Sequence, residues 1–138
     1  VKQQIWSNNS IGAMGFCIGG HLAFRAALNS SVKSTACFYA TDLHTNTIPN
    51  QPNQHSMERL SDIKGELLMI WGKQDTHIPT DARNQIHKKL LETDIMFSWH
   101  EFNAQHAFMR DEGDRYDPEL AMLCYQLCFR MFLRTLSN

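Results

Sequence analysis

The chain has 138 residues, 43% of them hydrophobic, and its 13 basic and 14 acidic residues leave a formal charge of −1. That length and apolar content suit one domain with a core of its own. Near-neutrality, with no basic cluster beyond Lys88-Lys89, argues against a nucleic-acid footprint, and no apolar run approaches the roughly 20 residues of a membrane-spanning helix.

The first predicted element is a short buried strand over Ile11–Phe16, and a helix is predicted over Ile18–Leu28. Between them stands Gly15-Phe16-Cys17-Ile18-Gly19-Gly20, a G-x-C-x-G-G segment with the form of a nucleophile elbow, carrying cysteine where serine is usual. A strand that turns sharply into a helix brings backbone close at the flanking positions, which predicts glycine at Gly15 and Gly19 because a Cβ there would collide. A helix start at Cys17 also favours a thiolate, since the helix dipole and unpaired N–H groups point toward the sulfur. The alternative reading is a glycine-rich turn beside a small buried thiol.

A second strand is predicted over Ser34–Ala40, with Cys37 in its core. Thr41–Gln54, rich in Asn and Pro, reads as an irregular loop beside a pocket, and a helix is predicted over about Gln54–Leu60. The apolar run Glu66–Trp71 predicts a third strand, and Asp75 stands just past its carboxyl end, where open parallel sheets place their chemistry. A helix over Thr80–Glu92 and a strand over Ile95–Phe102 follow, then a loop with His106. Asp117 as cap and Pro118 in the first turn open the last helix, Pro118–Leu136, whose apolar stripe is Leu120, Leu123, Cys124, Leu127, Cys128 and Met131. Strands alternating with helices predict right-handed crossovers and a parallel sheet of about four strands. Four cysteines among ordinary elements do not make a disulfide scaffold, and Cys124 and Cys128 read as core thiols rather than a metal pair. Free thiols suit a reducing, cytoplasmic setting.

A thiol nucleophile needs a base, and the base an orienting group. Cys17, Asp75 and His106 occur in the order nucleophile, acid, histidine, with one helix and one strand between the last two, as in α/β-hydrolases. The Ile18 N–H, next after the nucleophile, is the predicted oxyanion donor. Asp42, at another strand's end, is the reserve acid. His77 follows the strand too closely to face Cys17 and either shapes the pocket or is exposed. His21 is predicted packed, while His44, His55, His87 and His100 carry no partner pattern.

The segments Gly15–Gly20, Gly72-Lys73-Gln74-Asp75-Thr76-His77-Ile78-Pro79 and His106-Ala107-Phe108-Met109-Arg110 resemble those of the dienelactone hydrolase family, and the likeness runs from Ile11 to Leu136. The resemblance implies an α/β-hydrolase fold, a Cys17-Asp75-His106 triad, hydrolysis of lactones or activated esters without a cofactor or metal, and a substrate carboxylate held by Arg110. In the family the elbow lies near mid-chain, and the earlier half supplies the second oxyanion donor, a glutamate linked to ionisation of the thiol, and further substrate contacts. The resemblance therefore implies that residues 1–138 are the C-terminal part of a larger hydrolase domain, with the first strands and helices outside this chain.

Two other classes fit parts of the pattern. One is a non-catalytic protein of the same fold that binds a small carboxylic acid or a protein partner, in which Cys17 would react slowly with alkylating agents. The other is a metal hydrolase using some of His77, His100, His106 and Asp75, although no H-x-x-x-H or H-E-x-x-H spacing is present. A serine nucleophile is disfavoured because no serine stands in G-x-S-x-G.

Overall fold

A computed structural model describes residues 4, 5 and 7–137. Four strands, β1 (Ile11–Phe16), β2 (Val32–Phe38), β3 (Glu66–Gly72) and β4 (Phe97–Phe102), form one parallel sheet in the order β1-β2-β3-β4. Helices α1 (Ile18–Ala27), α2 (Thr80–Leu91) and α3 (Pro118–Leu136) cover its faces. Alternation along the strands divides the core in two. Cys37, Leu67, Met69 and Trp71 point to the side closed by Phe24 and Ala27 of α1 and Ile86 and Leu90 of α2. Ala36, Phe38, Leu68 and Ile70 point to the side closed by Ala121, Cys124, Cys128 and Met131 of α3. β3 is buried along its whole length, as an inner parallel strand covered on both faces must be.

The ends of elements shift by small amounts. β2 runs from Val32 to Phe38 rather than Ser34 to Ala40, because Tyr39 turns to φ 37° and leaves the extended conformation. β4 begins at Phe97 rather than Ile95. α3 has the predicted bounds, and the Asp117 side chain accepts the Leu120 N–H at 2.9 Å as its cap. Its buried stripe is narrower than predicted: Ala121 joins it, Leu120 and Leu127 are half-buried, and Leu123 is exposed.

The helix predicted near Gln54–Leu60 does not form. In its place are three short 3₁₀ turns, Pro52–Gln54, Ser56–Glu58 and Leu60–Asp62. Partners from outside the segment displace the α-helical pattern. Arg25 of α1 donates to the Gln54 carbonyl at 2.9 Å, the acceptor an α-helix would offer to Glu58, and the Glu58 N–H goes to His55 O instead. Ser56 is drawn inward against His21 at 2.6 Å.

Cys37, Cys124 and Cys128 are buried free thiols. Burial pushes Cys37 far up, and pushes Cys124 to about 12, with Asp117 adding to it, and Cys128 to about 11, so these thiols stay protonated and inert.

Among the described residues β1 pairs only with β2 and forms one edge of the sheet. Met14 on that edge and Ile18 and Leu22 on the adjoining helix are exposed. An open strand edge flanked by apolar side chains is a template for pairing with another chain. Expressed as these 138 residues alone, the polypeptide is expected to self-associate. Size-exclusion chromatography with a urea titration checks this, and a monomer with a sharp two-state transition would contradict it.

Candidate active site

All three predicted site segments lie at the carboxyl ends of strands. β1 ends at Phe16, and Cys17 takes φ 56°, ψ −125° before α1 begins. This conformation is costly for a residue with a Cβ and persists only where its surroundings hold it. They do: the Cys17 N–H donates to Phe38 O at 3.0 Å, and the Cys17 carbonyl accepts from Gly20 N at 2.9 Å and Thr41 N at 3.2 Å. A Cβ on Gly15 would land on the Gly19 carbonyl, which explains that glycine. The second tight position is Gly20 rather than Gly19. A Cβ on Gly20 would lie 2.9 Å from Phe38 O, whereas one on Gly19 would meet open space.

The acid comes from the turn after β3. Asp75 is 3% exposed, and its Oδ1 accepts the N–H groups of His77 at 2.8 Å and Ile78 at 3.3 Å. The histidine comes from the loop after β4. The two loops are stitched together by Lys73 N to Phe102 O at 2.7 Å and Gln74 N to Ala104 O at 2.9 Å. Gly72 permits that approach, since a Cβ there would collide with Ala104 O.

These loops bring the predicted trio into line. His106 Nδ1 donates to Asp75 Oδ2 at 2.7 Å, and His106 Nε2 lies 3.2 Å from Cys17 Sγ. His106 is 7% exposed, and Cys17 is half-buried at the cavity floor. Burial alone would raise the Asp75 carboxyl. The hydrogen bond and charge of His106 and the two backbone N–H groups outweigh it and hold the group below its ordinary value. Asp42 plays no part in this line, since the carboxylate on His106 Nδ1 is that of Asp75.

Ile18 is the first residue of α1, so its N–H has no acceptor within the helix and lies next to Cys17. Arg110 is exposed after the turn at Ala107 (φ 61°) and lines the cavity that holds Cys17 and His106. This cavity, of about 530 Å³, is walled by Phe16, Tyr39, His77, Met109, Arg115 and Tyr125. His77, read in the sequence as either shaping the pocket or exposed, lines the same cavity, its ring centroid 4.5 Å from that of His106. Tyr39 was not anticipated. Its ring meets His106 edge to face at 5.2 Å, and burial, first of several causes, holds its hydroxyl well above the ordinary range and so uncharged. Only the strand register, pairing Phe16 with Phe38, carries Tyr39 to the elbow.

The loop Thr41–Gln54 was expected beside the pocket. Thr41 does touch the elbow, but the cavity wall takes no residue from this loop. Leu43, His44 and Asn46 line a separate small cavity instead. Among the described residues no cluster of three or more His, Cys, Asp or Glu converges as a metal site, and no helix is long and apolar enough to cross a membrane.

A parallel α/β sheet with a nucleophile elbow and a Cys-His-Asp line at its carboxyl edge has the architecture of an α/β-hydrolase. The model of the dienelactone hydrolase family matches residues 1–136, and the chain belongs to that family. A Saccharomyces cerevisiae protein provisionally named carboxymethylenebutenolidase is 40% identical over 132 residues, covering 91% of this chain and 48% of the relative. The carboxymethylenebutenolidase of Pseudomonas putida is 26% identical over 124 residues, covering 89% of this chain and 48% of the relative. The chain spans about half the length of the curated relatives it matches. Among solved structures, a provisionally named dienelactone hydrolase from Klebsiella pneumoniae superposes with a TM-score of 0.79 at 24% identity, over 88% of this chain and 50% of that one. An acylaminoacyl peptidase from Pyrococcus horikoshii gives 0.75 at 18%, over 94% and 25%. At such identities the likeness is one of fold.

The elbow also carries a pH-dependent brace. His21 Nδ1 donates to Thr41 O at 2.9 Å, which leaves Nε2 to accept the Ser56 hydroxyl at 2.6 Å. Burial holds His21 below its ordinary 6.5, opposed by the Thr41 bond and aided by the nearby Arg25 charge. The unfolded chain therefore takes up this proton first on acidification. The brace is at full strength above about pH 6.5 and weakens as pH falls below it. Urea midpoints of the natural full-length protein should drop between pH 7.5 and 5.5, and His21→Gln should flatten that drop. An equal drop in the variant would contradict the assignment.

Proposed function

We propose that the protein hydrolyses lactones or activated carboxylic esters through a cysteine acyl-enzyme. The observation that carries this reading is the unbroken line Cys17 Sγ, His106 Nε2, His106 Nδ1, Asp75 Oδ2, with spacings of 3.2 and 2.7 Å at the floor of an open cavity. Membership of the dienelactone hydrolase family and the names of the relatives agree with it.

In this mechanism the Cys17 sulfur forms a bond to the substrate carbonyl carbon while His106 Nε2 holds the thiol proton. Asp75 fixes the imidazole tautomer and balances the imidazolium charge. The carbonyl electron pair moves to oxygen, where the Ile18 N–H donates to it. The pair returns, the ester C–O bond breaks, and His106 gives its proton to the departing alkoxide. In a lactone that alkoxide stays tethered as the far end of the acyl group. Water, deprotonated by His106, then cleaves the thioester and restores the thiol. Arg110 offers its guanidinium to a carboxylate on the substrate, a pairing such planar groups make in two parallel hydrogen bonds. The non-catalytic alternative has no comparable observation in its favour.

The same proposal makes residues 1–138 the C-terminal part of one hydrolase domain, with further strands continuing the sheet beyond β1. Its support is the open, apolar β1 edge and the half-length match to the relatives. The free buried thiols fit a reducing, cytoplasmic setting.

Steady-state assays of the natural full-length protein with p-nitrophenyl acetate and a small unsaturated lactone test the reading. Cys17→Ala should reduce kcat by on the order of 10⁴-fold or more, and Asp75→Asn by about 10³- to 10⁴-fold. Undiminished turnover in folded Cys17→Ala would overturn it.

A further inference from the structure

Arg83 of α2 is 2% exposed, an uncommon place for a guanidinium, and such a charge must be fully partnered. Its Nη1 donates to the Ile78 carbonyl at 2.7 Å, its Nη2 to Thr80 Oγ1 at 3.2 Å, and its Nε to Glu101 Oε2 at 3.2 Å. Glu101 lies on β4, and its other oxygen accepts the Trp99 indole N–H at 3.0 Å. The arginine thus ties α2, the turn after β3 and strand β4 to one point.

That turn is the one that presents the acid. Asp75 Oδ1 is held by the N–H groups of His77 and Ile78, and Arg83 holds the Ile78 residue from its carbonyl side. Gripped at both ends, the turn fixes Oδ1, which leaves Oδ2 aimed at His106 Nδ1. Each link is a hydrogen bond between neighbouring groups: Trp99, Glu101, Arg83, Ile78, Asp75, His106 and Cys17 form one continuous chain. We propose that Arg83, anchored by Glu101, is a positioning residue for Asp75, fixing the acid turn so that its carboxylate meets the histidine. The kinetic part of this proposal rests on the hydrolase reading above. The geometric part does not.

Buried parts held in this way are commonly structural, so the test uses readouts that lowered stability alone would not move in a protein that is still folded. In the natural full-length protein, the His106 Nδ1 proton, hydrogen-bonded to a buried carboxylate, should give a far-downfield proton NMR line that Asp75→Asn abolishes. Arg83→Gln should move or broaden that line and lower kcat on p-nitrophenyl acetate by about 10- to 100-fold, with KM within about twofold, as expected when an orienting partner is lost. Arg83→Lys, which keeps the charge and one donor direction, should recover part of both. Glu101→Gln should show the same change of smaller size, about 3- to 10-fold.

A folded Arg83→Gln protein with the line in place and kcat unchanged would overturn the proposal. If Arg83→Gln fails to fold, Glu101→Gln decides, because Glu101 is partly exposed on an edge strand. An unmoved line and unchanged kcat there would overturn the proposal equally. Failure of the hydrolase reading is separable. It would show as turnover that survives Cys17→Ala, or as no turnover at all, while the downfield line still responds to Arg83→Gln.

Discussion

The site depends on the backbone of Cys17, which must hold φ 56° at the junction of β1 and α1. No favourable local preference puts a cysteine there, and the neighbouring strand supplies the restraint. Phe38 O takes the Cys17 N–H and Thr41 N–H caps the Cys17 carbonyl, while the absence of a side chain at Gly20 leaves room for Phe38 O and at Gly15 for the Gly19 carbonyl. In this conformation the sulfur stands at the carboxyl end of β1, 3.2 Å from His106 Nε2, with the first N–H of α1 next to it in the chain. The elbow is therefore a product of β1–β2 pairing as much as of its own glycines.

Parallel pairing then decides where the partners fall. With four strands in the order β1-β2-β3-β4, the loops after β3 and β4 emerge side by side at the same edge as the elbow. The contact between them is close enough that Gly72 has no room for a Cβ, and two backbone hydrogen bonds join them. Asp75 and His106 thus meet through their loops before their side chains do. The carboxylate stays charged because three donors face it in a buried place, two backbone N–H groups and the imidazole, while Arg83 grips the same turn at the Ile78 carbonyl. The other cysteines show the contrast. Buried without donors or cations, they are pushed toward the protonated state and act as apolar filling.

Much of this was legible in the sequence wherever the determinant is local. Cys17 is announced by flanking glycines, Asp75 by an apolar strand ending in Gly72, and α3 by its Asp117 cap and Pro118. His106 could be chosen from seven histidines only because the order of nucleophile, acid and base is fixed by the topology. Where long-range partners decide, local pattern misleads. The stretch after Gln54 has a plausible helical spacing, yet Arg25 and His21 from α1 claim its carbonyl and its serine. Tyr39 reaches the cavity through strand register, which its own neighbourhood does not show. Gly19 and Gly20 look alike in sequence, and only the position of Phe38 O shows which of the two has no room for a side chain.

The central claim is that Cys17 carries the acyl group. The most direct measurement is intact-protein mass spectrometry after rapid acid quench of the full-length protein with a slowly hydrolysed activated ester, followed by peptide mapping. The account predicts a transient adduct of the acyl mass on the peptide containing Cys17, labile to hydroxylamine as a thioester is. Turnover with no adduct at Cys17, or an acyl group found on another residue, would contradict it.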